Sequence, residues 1–303
     1  MNRLLIRRAT IIDTSSDYNG QLCDLLVEDG IISKIEKAGS LAEEADEVIE
    51  AEGLHVSPGW VDSGVILSDP GHEHKETLSA LAKAAAFGGF SRVICYPNTS
   101  PVVDNAQMIH ALRQRSSHIP LHLHFMGAIS QQADGKELAE AYDMKKAGAV
   151  AFSDGLHPLQ SSGLMLRALR YYQAFDGLVV TYPTEASLTG GGQMNEGIQS
   201  TQLGLRGIPE VAESGKIASL LDLFGYTGGR LHVQPVTSPL GIQHIQKHKK
   251  AADKLSMGAS IAHLCFDDSE LADFDENFKL FPPLRSAQQL QALQQALQEG
   301  AFQ

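Results

Sequence analysis

The sequence has little cysteine. Cys23, Cys95 and Cys265 are the three present in 303 residues, and they lie far apart. That spacing excludes a CxxC-type zinc site and a disulfide framework, and it fits a reducing, cytoplasmic setting. Cys95 and Cys265 sit in apolar runs and are expected to be buried thiols rather than nucleophiles. Long hydrophobic runs are also lacking. No stretch approaches the roughly 18 apolar residues of a membrane span, so no membrane association is expected. Met1-Asn2-Arg3-Leu4 leads into a strand-like segment without a secretory apolar region. Basic residues are outnumbered, 24 Lys and Arg against 36 Asp and Glu, for a formal net charge of −12. Such a surface repels phosphate backbones and argues against nucleic-acid binding.

The first fifty or so residues read as all-β. Leu4-Leu5-Ile6 and Thr10-Ile11-Ile12 flank a charged pair. Asp24 to Val27 and Ile31 to Ile35 flank Glu28-Asp29-Gly30, and Asp-Gly between two β-rich runs is a hairpin signal. From His55 onward, short apolar runs alternate with segments of helical period. Strands are expected at Trp60–Leu67, Arg92–Tyr96, Leu121–Phe125, Ala149–Phe152, Leu178–Tyr182, Arg230–Val236 and Gly258–Leu264. Helices should start near Lys75, Asn105, Gly135, Ser161, Pro209, Pro239 and Ala287. This alternation implies parallel strands covered by helices, and more than six such units favour a TIM-like (β/α) barrel over an open sheet. No GxGxxG follows the first strand to support a dinucleotide fold. The expected division is a small β-sandwich segment over residues 1–54 and a (β/α) barrel over 55–303. A closed barrel needs eight strands and only seven are counted before Gln303, so either the given chain is truncated or the barrel lacks its eighth, unless one strand is hidden in a segment read as loop.

Val56-Ser57-Pro58-Gly59-Trp60-Val61-Asp62 opens the barrel region. After it come Asp69-Pro70-Gly71, Lys75-Glu76-Thr77, Ala84 to Phe90, Pro97-Asn98-Thr99, Phe152-Ser153-Asp154, Asn195-Glu196-Gly197, Gly207-Ile208-Pro209 with Ala212-Glu213, and Lys279 to Arg285. Their order and spacing resemble a dihydroorotase of the long, barrel-plus-β-sandwich type in the amidohydrolase superfamily, over almost the whole chain. The resemblance implies zinc held by histidines of strands one, five and six, with a bridging carboxylate on strand four.

The matching positions depart from that pattern. The first-strand His-x-His and the arginine after it correspond to Gly64, Ile66 and Ser68. The fifth- and sixth-strand histidines correspond to Tyr182 and Pro235. Glycine, isoleucine and proline offer no side-chain lone pair, and a protonated phenol is a poor zinc ligand. Serine cannot make the bidentate, charged contact of an arginine with a carboxylate. Asp154 matches the bridging carboxylate, and Asn98 lies in the family's substrate-binding Pro-Asn-Thr loop. His232 and His263 match family histidines whose partners are here Pro235 and Ala262. The asparagine expected before Pro-Pro-Leu-Arg is Phe281, and the general acid/base aspartate belongs to the uncounted eighth strand. No zinc or other cofactor is therefore expected.

Three other features invite a site. His122 and His124 share one face of a strand, and His72 and His74 flank Glu73 in a loop expected near the barrel mouth. Packed or solvated histidines are the simpler reading of both pairs. Gly190-Gly191-Gly192 lacks the Gly-Lys-Ser/Thr that completes a phosphate cradle and reads as a mobile loop. The expectation is a dihydroorotase-like protein of pyrimidine biosynthesis that is catalytically inactive, with a structural or assembly role. The resemblance makes aspartate transcarbamoylase the leading partner, alongside self-association. The alternatives are an active cyclic-amide hydrolase (dihydroorotase, hydantoinase or allantoinase type), with a site rebuilt from His72, His74, Asp154 and His232, and a small-molecule binder using the old pocket through Asn98.

Overall fold

A computed structural model describes residues 2–248 and 253–302. Two compact units divide between Trp60 and Val61. The division falls after the expected residue 54 because His55–Val56 still pairs with the first strand.

The first unit is one mixed sheet of β1 (Arg3–Ile11), β2 (Leu22–Glu28), β3 (Ile31–Lys37), β4 (Glu47–Glu50) and β5 (His55–Val56). Arg7-Arg8, expected to separate two strands, lies inside β1 as a bulge. The register slips between Ile6 and Ala9, Arg8 takes φ 52°, and its N–H donates to buried Asp24 at 3.0 Å. The hairpin between β2 and β3 turns at Asp29 and Gly30, both at positive φ, as its Asp-Gly pair requires.

The second unit holds a parallel sheet, seven strands among the described residues. They are β6 (Trp60–Val65), β7 (Phe90–Cys95), β8 (His122–Gly127), β9 (Ala151–Phe152), β10 (Leu178–Thr181), β13 (Arg230–Val233) and β14 (Leu255–Met257), hydrogen-bonded in that order. A short pair, β11 (Met194–Asn195) and β12 (Gly207–Ile208), stands apart. Ten α-helices follow in chain order among the described residues: α1 (Leu78–Phe87), α2 (Ala106–Ser116), α3 (Ala141–Ala147), α4 (Ser162–Tyr172), α5 (Ala186–Thr189), α6 (Ile198–Leu203), α7 (Val211–Thr227), α8 (Pro239–Lys247), α9 (Ile261–Cys265) and α10 (Ala287–Gln298).

Local chemistry explains most helix starts. Asn105, Ser161 and Ser238 are N-caps, their side chains accepting from Met108, Leu164 and Gly241 N–H. The start expected near Gly135 falls at Ala141, since Gly135 sits at φ 75° in the preceding loop. The strand expected at Gly258–Leu264 is displaced. The seventh strand is β14, and Ile261–Cys265 is helical, because a short apolar run carries no periodicity to tell the two apart. Cys265, expected inside, is exposed at the end of that helix, whereas Cys23 and Cys95 are buried.

Helices cover the sheet through apolar stripes such as Leu78, Leu81, Ala82 and Ala85 of α1, and Ile217, Leu220, Leu221 and Phe224 of α7. These close a core with Val93, Phe125, Phe152, Val179 and Leu231 of the strands. No helix among the described residues is long and apolar enough to cross a membrane.

Candidate functional site

The resemblance-bearing residues of the barrel strands gather at the strands' C-terminal ends, where barrel active sites form. Gly64 lies on β6, and Ile66 and Ser68 just past it. Tyr96 and Asn98 follow β7, Asp154 follows β9, Tyr182 follows β10, and Gln234 and Pro235 follow β13.

Gln234 sits at the centre of this region and is 5% exposed. Its amide nitrogen donates to the Ser63 carbonyl at 2.7 Å and to the Tyr96 hydroxyl at 2.9 Å. Its amide oxygen accepts from the Ser63 hydroxyl at 2.8 Å and faces His232 Nε2 at 2.8 Å. The Ser63 carbonyl can only accept, so the amide orientation is fixed. His232 must then carry its proton on Nε2, leaving Nδ1 to accept from the Ser256 hydroxyl at 2.7 Å. Burial holds the His232 pKa below its ordinary value, which agrees with a neutral ring. Burial likewise pushes the Tyr96 phenol up to about 12. A β-carbon added at Gly64 would lie 3.3 Å from the Gln234 amide nitrogen and 3.4 Å from the Tyr96 hydroxyl. The Gln234 amide and the Tyr96 hydroxyl thus lie close against Gly64.

Asp154 is buried and turned toward the protein. One carboxylate oxygen accepts from the N–H groups of Ile129 and Ser130, each at 2.9 Å, and the other from the Ser130 hydroxyl at 2.6 Å. Burial raises its pKa more than these bonds lower it. Asn98 is similarly engaged. Its amide nitrogen donates to the Asp154 carbonyl at 3.1 Å, and its oxygen accepts from Leu156 N–H at 3.0 Å.

Tyr182 is 7% exposed, and Phe281 lies over it with ring centroids 5.6 Å apart and planes 7° from parallel. Burial raises the Tyr182 pKa, so a phenolate ligand is further disfavoured. His263 Nε2 donates to the Pro282 carbonyl at 2.8 Å, since that carbonyl only accepts. Burial lowers the His263 pKa.

Several motifs that carry the family resemblance meet in one buried ionic cluster. The Arg285 guanidinium donates to Glu213 at 2.7 Å, Thr237 at 2.9 Å and Asn195 at 3.0 Å. Glu213 also accepts from the N–H groups of Thr237 and Ser238. Arg285 and Glu213 are each 3% exposed. This cluster ties the segments around β11, α7, β13 and α10 together.

The remaining histidines stay apart. His72 and His74 are exposed, their ring centroids 6.1 Å apart, with no third ligand brought to them. His122 lies opposite Arg92 and His124 opposite Ile94, at the beginning of β8 and away from the strand ends. Among the described residues, no three His, Cys, Asp or Glu side chains converge as a metal site. The residues present do not fit a zinc pair. Asp154 and His232 are committed to protein partners, and Gly64, Ile66 and Pro235 have nothing to offer a metal. Sequence reasoning missed Gln234, Ser63, Tyr96 and Ser256. The available signal was the pair of inward positions His232 and Gln234, two polar residues alternating within a buried strand end.

Comparison with known proteins places these observations. The Dihydro-orotase-like family model matches residues 53–238. A dihydroorotase of Syntrophus aciditrophicus is 36% identical over 301 residues, covering 99% of this chain and 70% of the relative. One of Carboxydothermus hydrogenoformans is 38% identical over 299 residues, covering 99% and 69%. The fold is similar to that of an L-hydantoinase from Arthrobacter aurescens, with a TM-score of 0.83 at 21% identity over 100% of this chain and 68% of that one. The family model and the relatives show that this chain belongs to the dihydroorotase family of the amidohydrolase superfamily.

Proposed function

We propose that this chain does not perform two-metal hydrolysis and serves pyrimidine biosynthesis as a structural or assembly component in the cytoplasm. Aspartate transcarbamoylase is the leading partner, and self-association is expected. The observation that supports this reading is the strand-end chemistry. Gly64, Ile66, Tyr182 and Pro235 stand at the family's four histidine positions, and the Gln234 amide lies close against Gly64. Hydrolysis of a cyclic amide needs an activated water and a group to protonate the leaving nitrogen. Neither role has a candidate among these residues.

A second reading, an active dihydroorotase, is favoured by the relatives: those at 36% and 38% identity both bear that name. It requires metal ligands from elsewhere, such as His72, His74, Asp154 and His232 rearranged. The two readings separate on one preparation, purified without chelator. The first expects no stoichiometric zinc, no dihydroorotate turnover, and co-sedimentation with aspartate transcarbamoylase. About two zinc per chain with turnover would establish the second.

A further inference from the structure

We infer that Gln234 clamps the parallel sheet across its interior, tying a strand near one end to the strand at the other. This rests on the reading that no metal ties the strand ends. In the sheet order, β13 is next to one end and β6 is the other end. Yet Gln234, the residue after β13, reaches both the carbonyl and the hydroxyl of Ser63 on β6. The same amide holds Tyr96 after β7 and His232 of β13, and His232 in turn holds Ser256 of β14.

One neutral side chain thus joins β6, β7 and β13 through two donors and two acceptors, all of them used, and His232 extends the chain of bonds to β14. Metal ligation would require lone pairs directed at a shared point. Here the lone pairs and protons are directed at one another. The Gly64 position belongs to the same device. A side chain there would press on the Gln234 nitrogen and the Tyr96 hydroxyl, 3.3 Å and 3.4 Å from its first carbon. A side chain at 64 therefore requires the Gln234 amide and the Tyr96 hydroxyl to give way by a few tenths of an ångström.

Gln234→Leu keeps the volume and removes all four bonds, leaving the Ser63 carbonyl, the Tyr96 hydroxyl and His232 Nε2 without this partner. In the full chain, with chelator present, its melting temperature should fall by about 5 °C or more. Backbone amides of β6 and β13 should exchange faster than in the parent. Should Gln234→Leu fail to fold, the unmodified protein still decides the matter by NMR. The Gln234 side-chain amide protons should exchange far more slowly than those of a free glutamine, and the His232 nitrogen shifts should report an Nε2–H ring. Gln234→Leu melting with the parent, or a Gln234 amide exchanging at the free rate, overturns the clamp. Zinc analysis of the same parent sample addresses the proposed function separately. Bound zinc defeats that reading, whereas the exchange rates report on the clamp itself.

Discussion

Tyr182 and Phe281 stack face to face, 5.6 Å between centroids and 7° from parallel. The first stands where the resemblance places a zinc-binding histidine, the second where it places a substrate-binding asparagine. Two positions where the resemblance implies polar side chains here share one aromatic contact. Tyr182→Ala should cost about 3 kcal/mol, because the ring is buried and would leave a cavity. Phe281→Ala should cost less, since Phe281 is 51% exposed. A double-mutant cycle by urea denaturation should return a coupling of about 0.5–1.5 kcal/mol. Additive losses would mean that the stacking carries no energy of its own.

Restoring the first-strand histidines should not restore the enzyme. Gly64→His introduces an imidazole beside the Gln234 amide, and Ile66→His places a second at an exposed position past β6. Asp154 would remain bonded to Ile129 and Ser130, and positions 182 and 235 would still be non-ligating. The double mutant is expected to bind no stoichiometric zinc and to turn over no dihydroorotate. Elemental analysis and a hydrolysis assay check both, and measurable turnover would count against the present account of the site.

The buried ionic cluster gives a third test. Arg285→Ala leaves Glu213 charged, 3% exposed and without its cation. Breaking one partner of such a pair costs about 3–5 kcal/mol, a large part of a typical total of about 5–15. Arg285→Lys keeps the charge but cannot reach Thr237, Asn195 and Glu213 together as the guanidinium does. Its loss should be intermediate. Urea denaturation of both variants measures this, and an Arg285→Ala protein as stable as the parent would refute it.

The same cluster shows why the family was legible in the sequence. Asn195, Glu213 and Arg285 lie in short motifs that the fold brings together in one buried cluster. The alternation of strands and helices was legible because each helix has a periodic apolar face and most begin at a capping side chain. Two kinds of feature were not. β14 and α9 are too short for a period to show, and Gly258–Leu264 was read as strand although part of it is helix. The Gln234 hub joins Ser63 and Ser256, which are remote in sequence, and a glutamine in a buried strand announces only that it needs partners.

Acidification should weaken the protein, through histidines held neutral inside it. His232 and His263 are buried, and burial is the first cause that lowers both pKa values from 6.5. The unfolded chain takes up protons at these rings as the pH falls through 6.5, while the folded chain does not. Their contribution to stability is thus present above 6.5 and is lost as the pH falls from there toward the depressed folded values. Asp154 and Asp268 act in the opposite sense. Burial raises their pKa values from 3.8, so the folded state binds their protons first and recovers part of the loss at lower pH. The expected profile is a decline in unfolding free energy that begins near neutrality and continues as the pH falls below 6.5. Denaturation at a series of pH values, with imidazole titration by NMR, measures both halves. Rings that titrate at 6.5 in the folded protein, with a flat stability profile across that range, would show that the interior accommodates an imidazolium and that the neutral Gln234–His232 pairing is wrong.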